Sequence, residues 1–340
     1  MNYTKKPQTL KPRIHTLDTI KCVLIFLVVF AHLLELFLGN PFIRNIYLTI
    51  YSFHIPLFVF CSGYVSQANS NKILSHILWP YVVFQLAYQL FDKHVLQQSL
   101  NLTLLLPNWI MWYLLALTVW NLSLPLIDFE AKYKKWLVLL IVFIISIICG
   151  FDPYARYTFS LSRILVLFPF FVAGYYFKNT YGESFFTDSR KMKHVIVGVL
   201  ALIIIVAGVS YIAMESNTIK SAWFYGSVGY DEQTYTWIFR LFTQLLAFCW
   251  IIFLVIFIPN KELPLLSHIG SNTMPIYLLH GFIIKLFAAS SFLAGHGVWT
   301  KAFAAIAFSI FMLLVFSSKP IIILFNFLIN WRSNKPNSVK

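Results

Sequence analysis

Charge is scarce in this chain, and negative charge is scarcest. Asp and Glu together number 12 in 340 residues, and all charged residues make up 11%. Water-soluble domains carry about a quarter, so an ordinary soluble domain is excluded. Cysteine is also rare. The four residues Cys22, Cys61, Cys149 and Cys249 each sit inside an apolar stretch, with no C-x-x-C and no metal-ligand spacing. They are expected to pack rather than to form a disulfide framework or hold a metal. No G-x-G-x-x-G, P-loop, low-complexity tract or internal repeat is present, which removes the common nucleotide-binding and repeat folds. The start also lacks a short apolar stretch followed by a small-residue cleavage site. Its polar and basic residues run straight into a long apolar span, so an uncleaved start is expected.

What the chain has is apolar sequence: 59% hydrophobic residues, 18% aromatic, and a mean hydropathy of +0.74. Ten apolar runs approach bilayer-spanning length, at about 19–38, 46–66, 73–91, 109–127, 136–150, 162–178, 194–213, 237–258, 273–290 and 302–329. The fifth is short, and the last is long enough to tilt or to break near Pro320. The expected fold is an all-α polytopic membrane helix bundle of about ten transmembrane helices. Most of the 26 Lys and Arg residues lie in alternate connecting segments; only Arg44, Lys93, Arg156, Lys220 and Lys301 fall in the others. By the positive-inside rule both termini are expected in the cytoplasm. The expected division is a cytoplasmic segment 1–18, a transmembrane domain 19–330 and a cytoplasmic tail 331–340. The net charge of +14 follows this topology and does not point to a nucleic-acid partner. The longest connection, about 214–236, is too short to fold alone, so any chemistry belongs to the bundle.

The first span carries that chemistry's best candidates. Asp18, Lys21, His32 and Glu35 interrupt an apolar helix and fall within roughly 100° of arc on one face. Lys21 and His32 are about 16 Å apart along the axis. Helix rise places His32 and His54 at similar depth somewhat outside the midplane, Arg163 and Arg240 near the outer starts of their spans, Lys285 at a similar level from the inside, and His280 closer to the inner side. An imidazole in lipid is costly unless it meets a cavity or partner, which makes His32 a site. Structural readings stand beside the functional ones. Lys21 and Asp18 can mark a helix end by snorkelling. Glu35, Arg163 and Arg240 can be interfacial. His54, two residues before Pro56, can satisfy backbone loosened by the proline. His280 can be a packed core histidine.

These residues also carry a resemblance. A basic residue separated by ten positions from a histidine, here Lys21 and His32 with Asp18 upstream, resembles the opening motif of the integral-membrane acyltransferase 3 family. Y-S-F-H-I-P-L-F-V-F-C-S-G-Y (Tyr51 to Tyr64) is similar to its second span. W-P-Y (Trp79 to Tyr81), W-Y-L-L-A-L (Trp112 to Leu117), R-I-L-V-L-F-P-F-F-V-A-G-Y-Y (Arg163 to Tyr176) and I-G-S-N-T-M-P-I-Y-L-L-H (Ile269 to His280) follow in the family's order. The likeness is greatest to the fucose 4-O-acetylase-like and polysaccharide O-acetyltransferase branch. Two departures stand out: lysine replaces the usual arginine before His32, and the SGNH-type domain appended in some relatives has no counterpart in the matched pattern.

The resemblance implies an acyl-CoA-dependent O-acetyltransferase in the bacterial plasma membrane. It would move acetyl from cytoplasmic acetyl-CoA to a hydroxyl of a cell-surface or lipid-linked polysaccharide, with no metal, and could act beside glycan-assembly proteins. His32 would be general base or nucleophile, Glu35 its orienting or proton-transfer partner, and Lys21 with Asp18 the donor-binding pair. His54, Arg163, Trp112 and His280 would contact the acceptor. The competing expectation is a transporter or flippase of a polar lipid or saccharide, which would use the same buried charges to hold a moving substrate.

Overall fold

A computed structural model describes residues 14–329 apart from 101, 153–157, 183, 188–191, 231–233, 291, 292 and 294. Residues 1–13 of the expected segment 1–18, and the expected tail 331–340, lie outside the described residues. The described chain is all helical, in the order α1 His15–Leu34, α2 Pro41–Tyr51, α3 His54–Val65, α4 Ser70–Ile73, α5 Trp79–His94, α6 Trp112–Leu122, α7 Leu124–Ile127 and α8 Lys132–Ile148. There follow α9 Leu161–Tyr181, α10 Ser184–Thr187, α11 Met192–Met214, α12 Trp237–Phe257, α13 Pro264–Ser271, α14 Thr273–Ala289, α15 Val298–Phe316 and α16 Lys319–Ile329. Seven helical stretches among the described residues are long and apolar enough to cross a membrane: His15–Phe37, Pro41–Val65, Lys132–Phe151, Leu161–Tyr181, Met192–Met214, Trp237–Phe257 and Val298–Phe316.

Several expected runs change shape, each for a local reason. The second is broken at Ser52 and Phe53, because Pro56 removes the N–H that would continue the ladder and Phe53 leaves helical geometry at φ −145°. Asn40 caps α2, its side chain accepting from Phe42 N at 2.9 Å, with Pro41 in the first turn. The third run continues from α4 through a π turn at Leu74–Leu78 into α5. The fifth is not short: it starts at Lys132, and the helical stretch reaches Phe151. The tenth separates into α15 and α16 at Ser317 and Ser318, just before Pro320.

Outer helices show their apolar faces. Leu200, Ile203 and Val206 of α11, Leu140, Ile144 and Ile148 of α8, and Phe303, Phe311 and Leu314 of α15 are exposed. Apolar exposure on this scale is what lipid requires and water forbids. Inside, small residues bring backbones together. A Cβ on Gly63 of α3 would overlap the Phe171 carbonyl of α9, and one on Gly174 of α9 would overlap the Phe60 carbonyl of α3. Gly270 of α13 meets the Asp18 carbonyl of α1 in the same way. Two hydrophobic clusters form the core, and Ile55, Phe58, Trp109, Trp250 and Tyr277 pack against both. A cavity lined by Ile55 and Trp109 lies along that seam.

Candidate active site

Helix α1 tightens into a 3-10 turn at Glu35–Phe37, and this turn folds Glu35 back toward His32. The carboxylate Oε2 lies 3.3 Å from His32 Nδ1. An ionised carboxylate only accepts, so Nδ1 carries the hydrogen and Nε2 keeps its lone pair. Both residues line a cavity of about 470 Å³ together with Tyr51, His54, Trp109, Trp112, Ser160, Arg163 and Tyr225. The edge of Trp109 meets the His32 ring at 4.7 Å between centroids.

His54 is the first residue of α3, immediately after the break. Its Nδ1 lies 2.7 Å from the Ile50 carbonyl oxygen, so Nδ1 donates. His54 satisfies the Ile50 carbonyl at the break between α2 and α3, not the Ser52 carbonyl that Pro56 leaves free, and in the neutral ring Nε2 stays an acceptor. A neutral His54 cannot donate to an oxyanion from that nitrogen. The Tyr51 ring stands 4.9 Å from it.

Arg163, in the first turn of α9, lies 5.3 Å from the Trp112 ring and 5.2 Å from the Tyr225 ring, so its guanidinium is held between two aromatic faces. Burial raises the Tyr225 phenol above its ordinary pKa, and the adjacent Arg163 partly opposes that rise. The chain enters α9 through two left-handed residues, Phe159 at φ 53° and Ser160 at φ 54°. Trp109 is left-handed as well, at φ 39°. Such conformations cost about 1–3 kcal/mol each and persist where the surroundings impose them. Here they border the cavity.

The remaining sequence candidates fall elsewhere. His280 stands near His32, with centroids 5.6 Å apart, and not at a separate level toward the inner side. Helix α14 begins at Thr273, as expected, but α13 at Pro264–Ser271 precedes it against α1, so the start of α14 does not mark the inner face. The His280 ring is fully buried and is not among the cavity-lining residues. Its Nδ1 donates to the Ile276 carbonyl at 3.0 Å. Lys21 and Asp18 pair with each other at 2.9 Å and are not brought to the cavity. A chain of contacts leads from His32 away from the cavity through His280, Tyr277 and Tyr113 to Ser62.

Arg240 is a fully buried structural hub and not part of the polar path. It donates to the Tyr235 hydroxyl at 2.9 Å and the Val228 carbonyl at 2.9 Å, and lies 4.6 Å from the Tyr230 ring. Lys285 reaches both oxygens of Asp92, at 2.6 and 2.7 Å. Among the described residues no group of three or more His, Cys, Asp or Glu has the arrangement to hold a metal. Sequence reasoning missed Tyr51, Trp109, Ser160 and Tyr225 as cavity residues. Tyr51 was legible in principle, three positions before His54. Tyr225 comes from an irregular connection, where no periodicity marks it.

The class is thus a multi-pass membrane protein built around a cavity that carries a base. A family model described as an acyltransferase domain, that of the acyltransferase 3 family, matches residues 14–318. The chain belongs to that family and is an acyltransferase. None of the curated proteins and none of the solved structures matches it.

Proposed function

We propose that this acyltransferase moves an acetyl group from acetyl-CoA to a hydroxyl of a cell-surface or lipid-linked glycan, in the plasma membrane of a bacterium. The observation that carries the proposal is the His32–Glu35 pair at the wall of an aromatic-lined cavity. Aromatic faces such as Trp112 and Tyr225 suit the C–H faces of a sugar ring. Arg163 supplies fixed donors among them.

In the proposed step His32 Nε2 accepts the proton of the acceptor hydroxyl as its oxygen attacks the thioester carbonyl. Glu35 accepts from Nδ1 and stabilises the imidazolium that forms. The tetrahedral intermediate collapses with cleavage of the C–S bond, and the imidazolium returns the proton to the leaving thiolate. Arg163 is the cavity's cationic donor for the developing oxyanion. His54 Nε2 accepts from a neighbouring acceptor hydroxyl, the role its fixed tautomer permits. His280 supports the His32 ring from behind the wall.

Lys21 sits about 16 Å along α1 from His32. An extended pantetheine arm has a comparable length, so a donor whose phosphates meet Lys21 would present its thioester near His32. The excess of basic residues in alternate segments supports a cytoplasmic Lys21 end and an opposite cavity end.

The test is the O-acetyl content of surface glycan, read by NMR in a deletion strain complemented with wild type or His32→Ala, alongside transfer of label from acetyl-CoA in membranes. Wild type should restore acetylation and the stably expressed variant should not. Normal acetylation by His32→Ala would remove the mechanism. Label that never leaves the donor would remove the acetyl-CoA assignment.

A further inference from the structure

Ahead of Trp109 the chain is not helical, yet the backbone carbonyls of Thr103, Leu104, Leu105 and Leu106 are all taken. The Tyr81 hydroxyl donates to the Leu104 carbonyl at 2.6 Å. Gln85 Nε2 donates to the Thr103 and Leu106 carbonyls, both at 2.9 Å, and Gln89 Nε2 to the Thr103 carbonyl at 2.7 Å. The Leu105 carbonyl accepts from Phe159 N at 3.0 Å. Asn108 closes the stretch: its N–H donates to Gln85 Oε1 at 2.8 Å and its Nδ2 to Asp92 Oδ2 at 2.7 Å. Tyr81, Gln85, Gln89 and Asp92 recur every three or four residues, so one polar face of α5 serves Thr103, Leu104, Leu106 and Asn108, while Leu105 is served by Phe159. Meanwhile Leu102, Leu104 and Leu105 are exposed, and Leu106 lines the cavity. Apolar side chains outside and satisfied carbonyls inside are what irregular backbone requires if it is to stand in a bilayer.

Trp109 is the next residue. It takes a left-handed conformation at φ 39° and meets the His32 ring. Behind it, Gly281 of α14 leaves room: a Cβ there would overlap the Tyr88 hydroxyl and come within 3.1 Å of Trp109 Cζ3. The pair that ties this wall to α14 is Asp92 with Lys285, whose ammonium also lies 3.2 Å from Asn108 Oδ1. The ammonium is 6.0 Å from the Trp109 ring as well.

We infer that the segment Thr103–Trp109 is a lipid-inserted wall of the catalytic cavity, and that the Asp92–Lys285 pair is a positioning device holding Trp109 against His32. The inference rests on the proposed catalytic role of His32. Neither Asp92 nor Lys285 lines the cavity, so each acts through Asn108 and Trp109. Because α14 also carries His280, one pair locks two neighbours of His32 into a single register.

The experiment uses full-length protein in nanodiscs. Removing one partner would strand a buried charge, so the main variant is the double Asp92→Leu, Lys285→Met, which removes both charges together. Lys285→Arg is the conservative control. Hydrogen exchange read by mass spectrometry should rise about tenfold or more in peptides covering 103–109, with helices elsewhere unchanged. With labelled acetyl-CoA and purified surface glycan, kcat should fall by about 10- to 100-fold, the cost of misplacing a catalytic neighbour. KM for the glycan should rise while KM for acetyl-CoA holds, and Lys285→Arg should recover most of the loss.

Unchanged exchange in the double variant would overturn the clamp. Raised exchange with wild-type kinetics would overturn the positioning role. Equal loss in both KM values with general destabilisation would show a merely structural pair. If His32→Ala is itself active, the catalytic reading falls, while the exchange result still decides whether the pair holds the wall.

Discussion

Replacing Glu35 by Gln keeps the shape of the His32 partner and removes its charge, and the structure sets how much this should matter. A buried hydrogen bond to a charged group contributes about 1.5–3 kcal/mol. This one is long, at 3.3 Å, and the Glu35 side chain is 44% exposed. Screening should therefore reduce the contribution to roughly 1–1.5 kcal/mol. At about 1.4 kcal/mol per tenfold in rate, kcat should fall about 5- to 10-fold. The amide can present its oxygen to Nδ1 by rotating, because an exposed side chain is free to do so, and the catalytic tautomer survives. A fully buried orienting carboxylate would behave differently: its amide replacement fixes the wrong tautomer at a cost of about 10⁴. His32→Ala, which deletes the base itself, should cost about 10²–10⁴. The assay is initial-rate transfer of labelled acetyl at saturating donor and acceptor, normalised to folded protein by size-exclusion chromatography. A Glu35→Gln rate within twofold of wild type would refute the orienting role. A rate as low as that of His32→Ala would refute the claim that exposure softens the coupling.

Arg163→Lys keeps the charge but loses the planar group held between Trp112 and Tyr225; acceptor binding should weaken about 5- to 30-fold, a loss of about 1–2 kcal/mol. Isothermal titration with the glycan checks this, and unchanged affinity would take Arg163 out of the acceptor site. Gly63→Ala places a methyl group against the Phe171 carbonyl, where backbone cannot yield as a side chain can; stability should fall by about 1–3 kcal/mol or more, seen as a lower unfolding midpoint in detergent. Tyr225→Phe tests a titration. Burial raises its pKa, so the phenol stays protonated through the range where its ordinary value of about 10 already keeps it neutral, and activity between about pH 6 and 9 should show no change in profile. The sign continues above that range. Stability linked to a raised acidic group is full below the unfolded value and falls as pH rises toward the folded one, so the phenylalanine variant should lose less stability in alkali. A shifted activity inflection near neutrality would show that Tyr225 titrates in catalysis.

Much of the bundle was legible because lipid enforces a simple rule. Every expected apolar run lies on helix, since a chain without water must satisfy its own backbone. The coincidence of His32 and His54 at one depth was legible for the same reason: rise per residue is fixed once a span is recognised. The failures have the same source. His280 was placed too near the inner side because the count took the start of its span, at Thr273, as the inner face, while α13 precedes that start and already packs Gly270 on Asp18. Lys132 was left outside the fifth span because a charged first turn can still be helical.

The wall of the cavity was hidden for a different physical reason. Gln85, Gln89 and Asp92 lower the apolar character of their helix, and hydropathy registers them only as a weaker span. The partners of the two glutamines are backbone carbonyls 14 to 21 residues along the chain, and a carbonyl has no sequence identity to match. The same is true of Gly281, whose meaning lies in the space it leaves for Tyr88 and Trp109. Composition can announce that polar groups are buried in a membrane protein, because their cost there is high. Which of them perform chemistry and which hold backbone in place depends on what they face. His32 faces an open cavity across from Arg163, whereas Lys285 faces Asp92 and Asn108. The two kinds of residue look alike in the sequence and separate only when their partners are known. Substituting a catalytic group should therefore abolish transfer and leave exchange undisturbed, while substituting a clamp should alter both.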